Sequence, residues 1–150
     1  MMKKLIVFFG VIILSLNNFV LAQFTITKTL KTNDITGLKI GDAATLTAAT
    51  GVDPNGSGWL RLTTAATNQK GYLYGGQSFP TAFGVIADFE YTTWRNVADN
   101  TYFGADGFSV FLFDGAVTDA NFKLGGYGGS LGYATYSNPP NTPGLTGGYI

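Results

Sequence analysis

Asp106 is the side chain whose position most invites chemistry. It lies between Ala105 and Gly107, directly ahead of the apolar run Phe108–Phe113, in which Ser109 is the one polar member. A carboxylate at the mouth of a buried strand must be solvated, capped or used. When ionised it only accepts hydrogen bonds, and it can take two neighbouring O–H groups at once. The plain alternative is an ordinary turn Asp before Gly. A second acidic pair is Asp88 and Glu90. Residues i and i+2 of a strand share a face roughly 6.6 Å apart, a spacing admissible for the two carboxylates of a glycoside hydrolase. The third carboxylate of such a strand is missing, since Thr92, Thr93 and Trp94 follow. A solvated outer face accounts for the pair without catalysis. The chain has no His and no Cys. That excludes His-based acid/base chemistry and disulfides, and it argues against zinc or copper sites.

The elements that must position these residues read as strands. Phe108–Phe113 is β-branched and aromatic, flanked by Gly104, Gly107 and Gly115, and so predicts a central strand buried on both faces. Ala82 to Trp94 alternates: Phe83, Val85, Ala87, Phe89 and Tyr91 point one way, Asp88 and Glu90 the other. Phe24–Leu30 predicts an edge strand, Asn33–Ala49 short strands around a Gly41-Asp42 turn, and Trp59–Thr63 and Tyr72–Tyr74 two further short strands. Val52–Gly58, VDPNGSG, is a loop, Asn68–Gly71 a turn, Arg95–Tyr102 a polar loop, and Asp114–Asn121 a loop with room for one helical turn. From Leu124 onward Gly, Tyr, Ser, Asn and Pro dominate. Such a segment is either low-complexity or a tight loop in which backbone approaches a ligand closely. Tyr149-Ile150 looks like the start of another strand.

With 150 residues, 12% charged and 15% aromatic, and 21 Gly, the chain suits one all-β domain rich in turns. Residues 1–22 read as a secretory signal peptide. Lys3 and Lys4 precede the apolar stretch Leu5–Leu16, Asn17 and Asn18 interrupt it, and Val20-Leu21-Ala22 is a small-residue cleavage site before Gln23. The stretch is too short for a membrane span, so no membrane insertion is expected after cleavage. Without Lys3 and Lys4, seven of the nine basic residues remain against nine acidic ones, a net charge of −2. That gives no electrostatic footprint for nucleic acid.

The succession KGYLYGGQSF, GVIADFEYTTW, GADGFSVFLFDG and GGSLGYA resembles the L-type (legume-type) lectins of the concanavalin A-like lectin/glucanase superfamily, in the manner of their secreted bacterial members. Ala105-Asp106-Gly107-Phe108 leading into Phe111-Leu112 is similar to the family's Ala-Asp-Gly strand. Gly128-Gly129-Ser130-Leu131-Gly132 is similar to its Gly-Gly-x-Leu-Gly loop. The resemblance covers roughly residues 58–134. It implies a jelly-roll sandwich of antiparallel sheets over residues 23–150, and carbohydrate binding without turnover by a secreted or cell-surface protein whose partners are glycans. It further implies that Asp106 accepts hydrogen bonds from two sugar hydroxyls, that the Ala105–Asp106 peptide is cis, that the Gly129 N–H donates to the sugar, and that Gly128 shapes the loop.

In the family, the strand after the Gly-Gly loop carries acidic ligands for Ca2+, with or without a transition metal beside it, followed by an Asn that also meets the sugar. This chain reaches Ile150 about where that strand would begin, so the expectation is an N-terminal fragment, truncated at the C-terminus, with no metal ligands of its own. Two alternatives stay open: a glycoside hydrolase of the same fold, and a non-binding adhesive or structural module of the cell surface, which the Gly/Tyr-rich tail and the export signal would suit.

Overall fold

Turn chemistry decides where this chain pairs with itself. In the computed structural model, which describes residues 25–82, 84–93 and 106–149, Gly41 accepts a hydrogen bond from the Ala44 N–H, closing the expected turn, and Asp42 takes a positive φ of 54°. Asn68, at φ 56°, bends the chain at the second expected turn. Asn and Asp tolerate this left-handed geometry better than other residues with a Cβ. The two turns bring β1 (Leu38–Asp42) against β4 (Gly71–Gly75), antiparallel, in the register Leu38↔Gly75 to Asp42↔Gly71. Between them, β2 (Thr45–Leu46) pairs with β3 (Leu60–Arg61). Further along, β5 (Leu112–Phe113) pairs with β6 (Gly148–Tyr149).

Among the described residues the regular structure is therefore β-strand in three antiparallel two-stranded ladders, with one 3-10 turn at Gly128–Ser130 and no α-helix. The all-β expectation holds. The short strands expected within 33–49, 59–63 and 72–74 are present as β1 to β4, and the strand start at Tyr149 is part of β6. The segments expected to be a signal peptide (residues 1–22) and a polar loop (residues 95–102) lie outside the described residues.

Three strand expectations need correction. Residues 25–30 form no strand. Residues 84–93, the described part of the Ala82–Trp94 alternation, join no ladder, although Phe89 and Tyr91 do share a face: both meet the Phe108 ring, at 5.7 and 4.7 Å between centroids. The run Phe108–Phe113 is ladder-paired only at Leu112–Phe113 and is covered on one face only. Phe111 and Phe113 turn inward, whereas Val110 and Leu112 are exposed. A run of apolar side chains fixes what a strand would like to bury, but a ladder forms only where another segment supplies hydrogen bonds, and β6 supplies them along two residues.

The core sits where β4 and β5 face the segment after β5. Tyr74, Phe122, Leu124 and Leu145 are buried, with Tyr72, Phe111, Phe113, Val117 and Tyr133 packed around them. Tyr72 and Tyr74 lie two residues apart on one face of β4, and the Phe122 ring contacts both, at 5.0 and 4.5 Å. Phe113 meets Tyr74 edge-on at 5.1 Å, a geometry that aligns the positive rim of one ring with the negative face of the other. The Phe122 N–H bonds to the Thr118 carbonyl, the single helical turn expected in this loop. The Tyr74 hydroxyl donates to Asp119 Oδ1 (2.8 Å), and Lys39 pairs with Asp119 Oδ2 (2.6 Å). Asp119 thus ties β1, β4 and the 114–122 loop together. Burial, then the Asp119 hydrogen bond, pushes the Tyr74 phenol up to about 12. The Lys39 and Tyr74 hydrogen bonds hold the Asp119 carboxyl below its usual range.

Candidate functional site

The Gly-rich segment is a tight loop folded back on itself. The Gly125 N–H bonds to the Gly132 carbonyl (2.7 Å), Gly126 N–H to Ala134 O (2.9 Å) and Gly132 N–H to Gly126 O (2.8 Å). Side chains at 125 and 126 would clash: a Cβ on Gly125 would sit 2.5 Å from the Ala134 carbonyl oxygen, and one on Gly126 would collide with the Tyr136 side chain. The tip of the loop is the 3-10 turn Gly128–Ser130, closed by the Leu131 N–H on the Gly128 carbonyl (2.9 Å), with Leu131 in the left-handed region. The segment is a tight loop in which backbone packs closely on backbone.

Asp106 lies beside that tip. It takes φ 32° and Gly107 takes φ 102°, so the chain turns sharply before the Phe108 run. A Cβ at Gly128 would lie 3.8 Å from Asp106 Oδ2, and one at Gly107 would lie 4.0 Å from the Leu131 side chain. Ser109, the polar residue within the apolar run, donates its hydroxyl to the Leu131 carbonyl at 2.9 Å. The Ser109 bond fastens the segment after Asp106 to the end of the turn. Sequence reading singled out Ser109 for its polarity but gave it no partner.

Two of the three expected site residues are thus brought together, with the third next to them. Asp106 is exposed, and its carboxylate carries no hydrogen bond or ion pair among the described residues. Gly128 faces it; Gly129 follows in the turn, exposed, with nothing within 4 Å of where a Cβ would stand. The arrangement is an open acceptor beside an unobstructed stretch of backbone. The Ala105–Asp106 peptide, expected cis, involves Ala105, which lies outside the described residues. Asp88 and Glu90 are exposed, and no hydrogen bond or ion pair holds either among the described residues.

Two cavities lie elsewhere. One of about 630 Å3 is bounded by Ile26, Lys28, Ile35–Lys39, Gly76 and Gln77, and another of about 400 Å3 lies between Lys70, Tyr72 and the 142–146 arm. Neither includes Asp106, Gly128 or Gly129. Among the described residues no three His, Cys, Asp or Glu side chains come together in a group that could hold a metal ion. No helix among them is long and apolar enough to cross a membrane. No family model, no curated protein and no solved structure matches the chain.

Proposed function

We propose that this is an exported, L-type-lectin-like protein that binds glycans at Asp106 and the Gly128-Gly129 turn, in a domain of jelly-roll sandwich type, and that acts outside the cell or at its surface without turning over its ligand. The observation that carries the reading is the position of the unpaired Asp106 carboxylate against Gly128, with Ser109 fastened to Leu131 behind it. Sugars are recognised through hydroxyls, so a site needs a fixed acceptor and a fixed donor at close range. Asp106 supplies an acceptor for two hydroxyls, and the open backbone at Gly129 supplies an N–H that a sugar oxygen can approach. The exposure of Asp106 and Gly129 suits the end or edge of a glycan chain. The resemblance implies calcium for the complete domain, and among the described residues no group of three acidic side chains that could hold it is found.

The test is a glycan array probed with the full-length protein, with and without a chelator, alongside an assay for new reducing ends. A lectin retains glycans and releases none; release of reducing ends would indicate the hydrolase, and absence of both would indicate the adhesive module.

A further inference from the structure

We infer that the cleft between the start of β4 and the 142–146 arm is a second, separate ligand site that takes an acidic saccharide, with the sugar carboxylate held by Lys70 and Lys123. The cleft measures about 400 Å3 and is lined by Asp42, Lys70, Tyr72, Phe122, Lys123 and Thr142, among others. That size falls within the range of about 300–1,000 Å3 typical of small-molecule sites.

The charge balance favours an anion. Two lysines and one aspartate line the cleft, a local excess of positive charge in a chain whose formal net charge is zero. Both ammoniums have capacity to spare. Lys123 is exposed, and its ammonium carries no hydrogen bond or ion pair among the described residues. Lys70 is half-buried and spends one N–H on the Gly125 carbonyl (3.0 Å), leaving two of its three donors free.

The rest of the lining suits a sugar better than a bare carboxylate. Tyr72 is half-buried and held by Tyr74 (5.8 Å, stacked) and Phe122 (5.0 Å, edge-on), which makes a rigid aromatic wall for the apolar face of a pyranose. The hydroxyls of Thr142 and Thr146 make only long bonds of 3.4 Å, to the Pro140 and Lys123 carbonyls, and can turn to a ligand. The Asp42 carboxylate, unpaired among the described residues, is an acceptor for a sugar hydroxyl. The site shares no residue with Asp106 and the Gly128-Gly129 turn, so it does not depend on the function proposed for them.

Calorimetry on the full-length protein tests this with methyl glucuronide, methyl glucoside and a short glutamate peptide. The glucuronide is expected to bind at least about tenfold tighter than the glucoside, the increment of one charge-assisted hydrogen bond. Lys123→Gln, at an exposed position whose ammonium bonds nothing among the described residues, should lose about that factor while the fold stays intact; Lys70→Gln should lose a similar factor. High salt should weaken the binding, and Asp106→Asn should leave it unchanged. Equal affinity for glucuronide and glucoside, glucuronide binding indifferent to both lysine substitutions, or a glutamate peptide binding as tightly as the glucuronide would each overturn the proposal.

Discussion

At the scale of single residues, the two glycines of the turn make opposite predictions. Gly129, inside the 3-10 turn, is not among the positive-φ glycines and has open space where a Cβ would stand. Gly129→Ala should therefore leave stability within about 0.5 kcal/mol of wild type. The added methyl would nevertheless stand where a sugar oxygen must approach the backbone, so glycan binding should be lost; denaturant unfolding and calorimetry on the same variant check both halves. Gly128, at φ 65°, faces the reverse situation. Its Cβ would meet Asp106 Oδ2 at an ordinary contact distance, so the cost lies in the backbone, about 1–2 kcal/mol for a residue with a Cβ in the left-handed region. Ser109→Ala removes the Ser109–Leu131 bond and should cost about 1 kcal/mol. It should also weaken glycan binding, because the segment after Asp106 is no longer fastened to the turn. A Ser109 variant with wild-type stability and affinity would show that the bond fixes neither.

At the scale of elements, the aromatic group around Phe122 should dominate stability. Phe122 is 7% exposed and meets the rings of Tyr72, Tyr74 and Phe113, so Phe122→Ala should cost about 3–5 kcal/mol by denaturant unfolding. The Asp119 junction adds a pH dependence whose sign differs at the two ends. Asp119 is held below its usual range by Lys39 and then Tyr74, so its contribution is complete above the ordinary carboxylate value near 4. That contribution fades as pH falls through the lowered folded value. Tyr74, pushed up to about 12, contributes fully below the ordinary tyrosine value near 10 and is lost as pH rises through 12. An ultraviolet titration should show Tyr74 ionising late, alongside Tyr127, which its hydrogen bond with Tyr136 also raises, and Asp119→Asn should bring Tyr74 part of the way back while burial keeps it raised. The strands at this junction were legible in the sequence, since Tyr72 and Tyr74 stand two apart between Gly-bounded turns. The Asp119 contacts were not, because Tyr74 and Lys39 lie far from it along the chain and nothing local marks such a partner. The same limit explains residues 84–93: alternation announced a face, and Phe89 and Tyr91 share one, but pairing depends on a neighbouring segment that alternation does not specify. Asp106 and the Gly128-Gly129 turn stood out by residue type and by resemblance, whereas their approach through Ser109 and Leu131 is a property of the folded chain.

At the scale of the whole molecule, the described residues bury a small aromatic core and leave much apolar surface open. Ile86 is 93% exposed, Tyr91 67%, Val110 63% and Phe89 50%, a concentration of large apolar side chains on the 84–93 segment and the run after Asp106. Exposed apolar surface of this kind invites further association. Residues 23–150 produced alone should bind a hydrophobic dye and unfold over a broad temperature range; a sharp two-state transition of a soluble monomer with no dye binding would show that this surface is covered within the chain. The central claim, that Asp106 and not the Asp88-Glu90 face holds the glycan, is tested most directly by calorimetry on two variants of the full-length protein with a glycan found on the array. A monosaccharide bound at about 1 mM corresponds to about −4 kcal/mol, and hydrogen bonds to a charged acceptor contribute about 1.5–3 kcal/mol each. Asn keeps one oxygen and replaces the other with a donor, so one sugar hydroxyl meets the wrong partner. Binding should disappear in Asp106→Asn and persist in Asp88→Asn, with both variants folded; binding retained in Asp106→Asn and lost in Asp88→Asn would contradict the account.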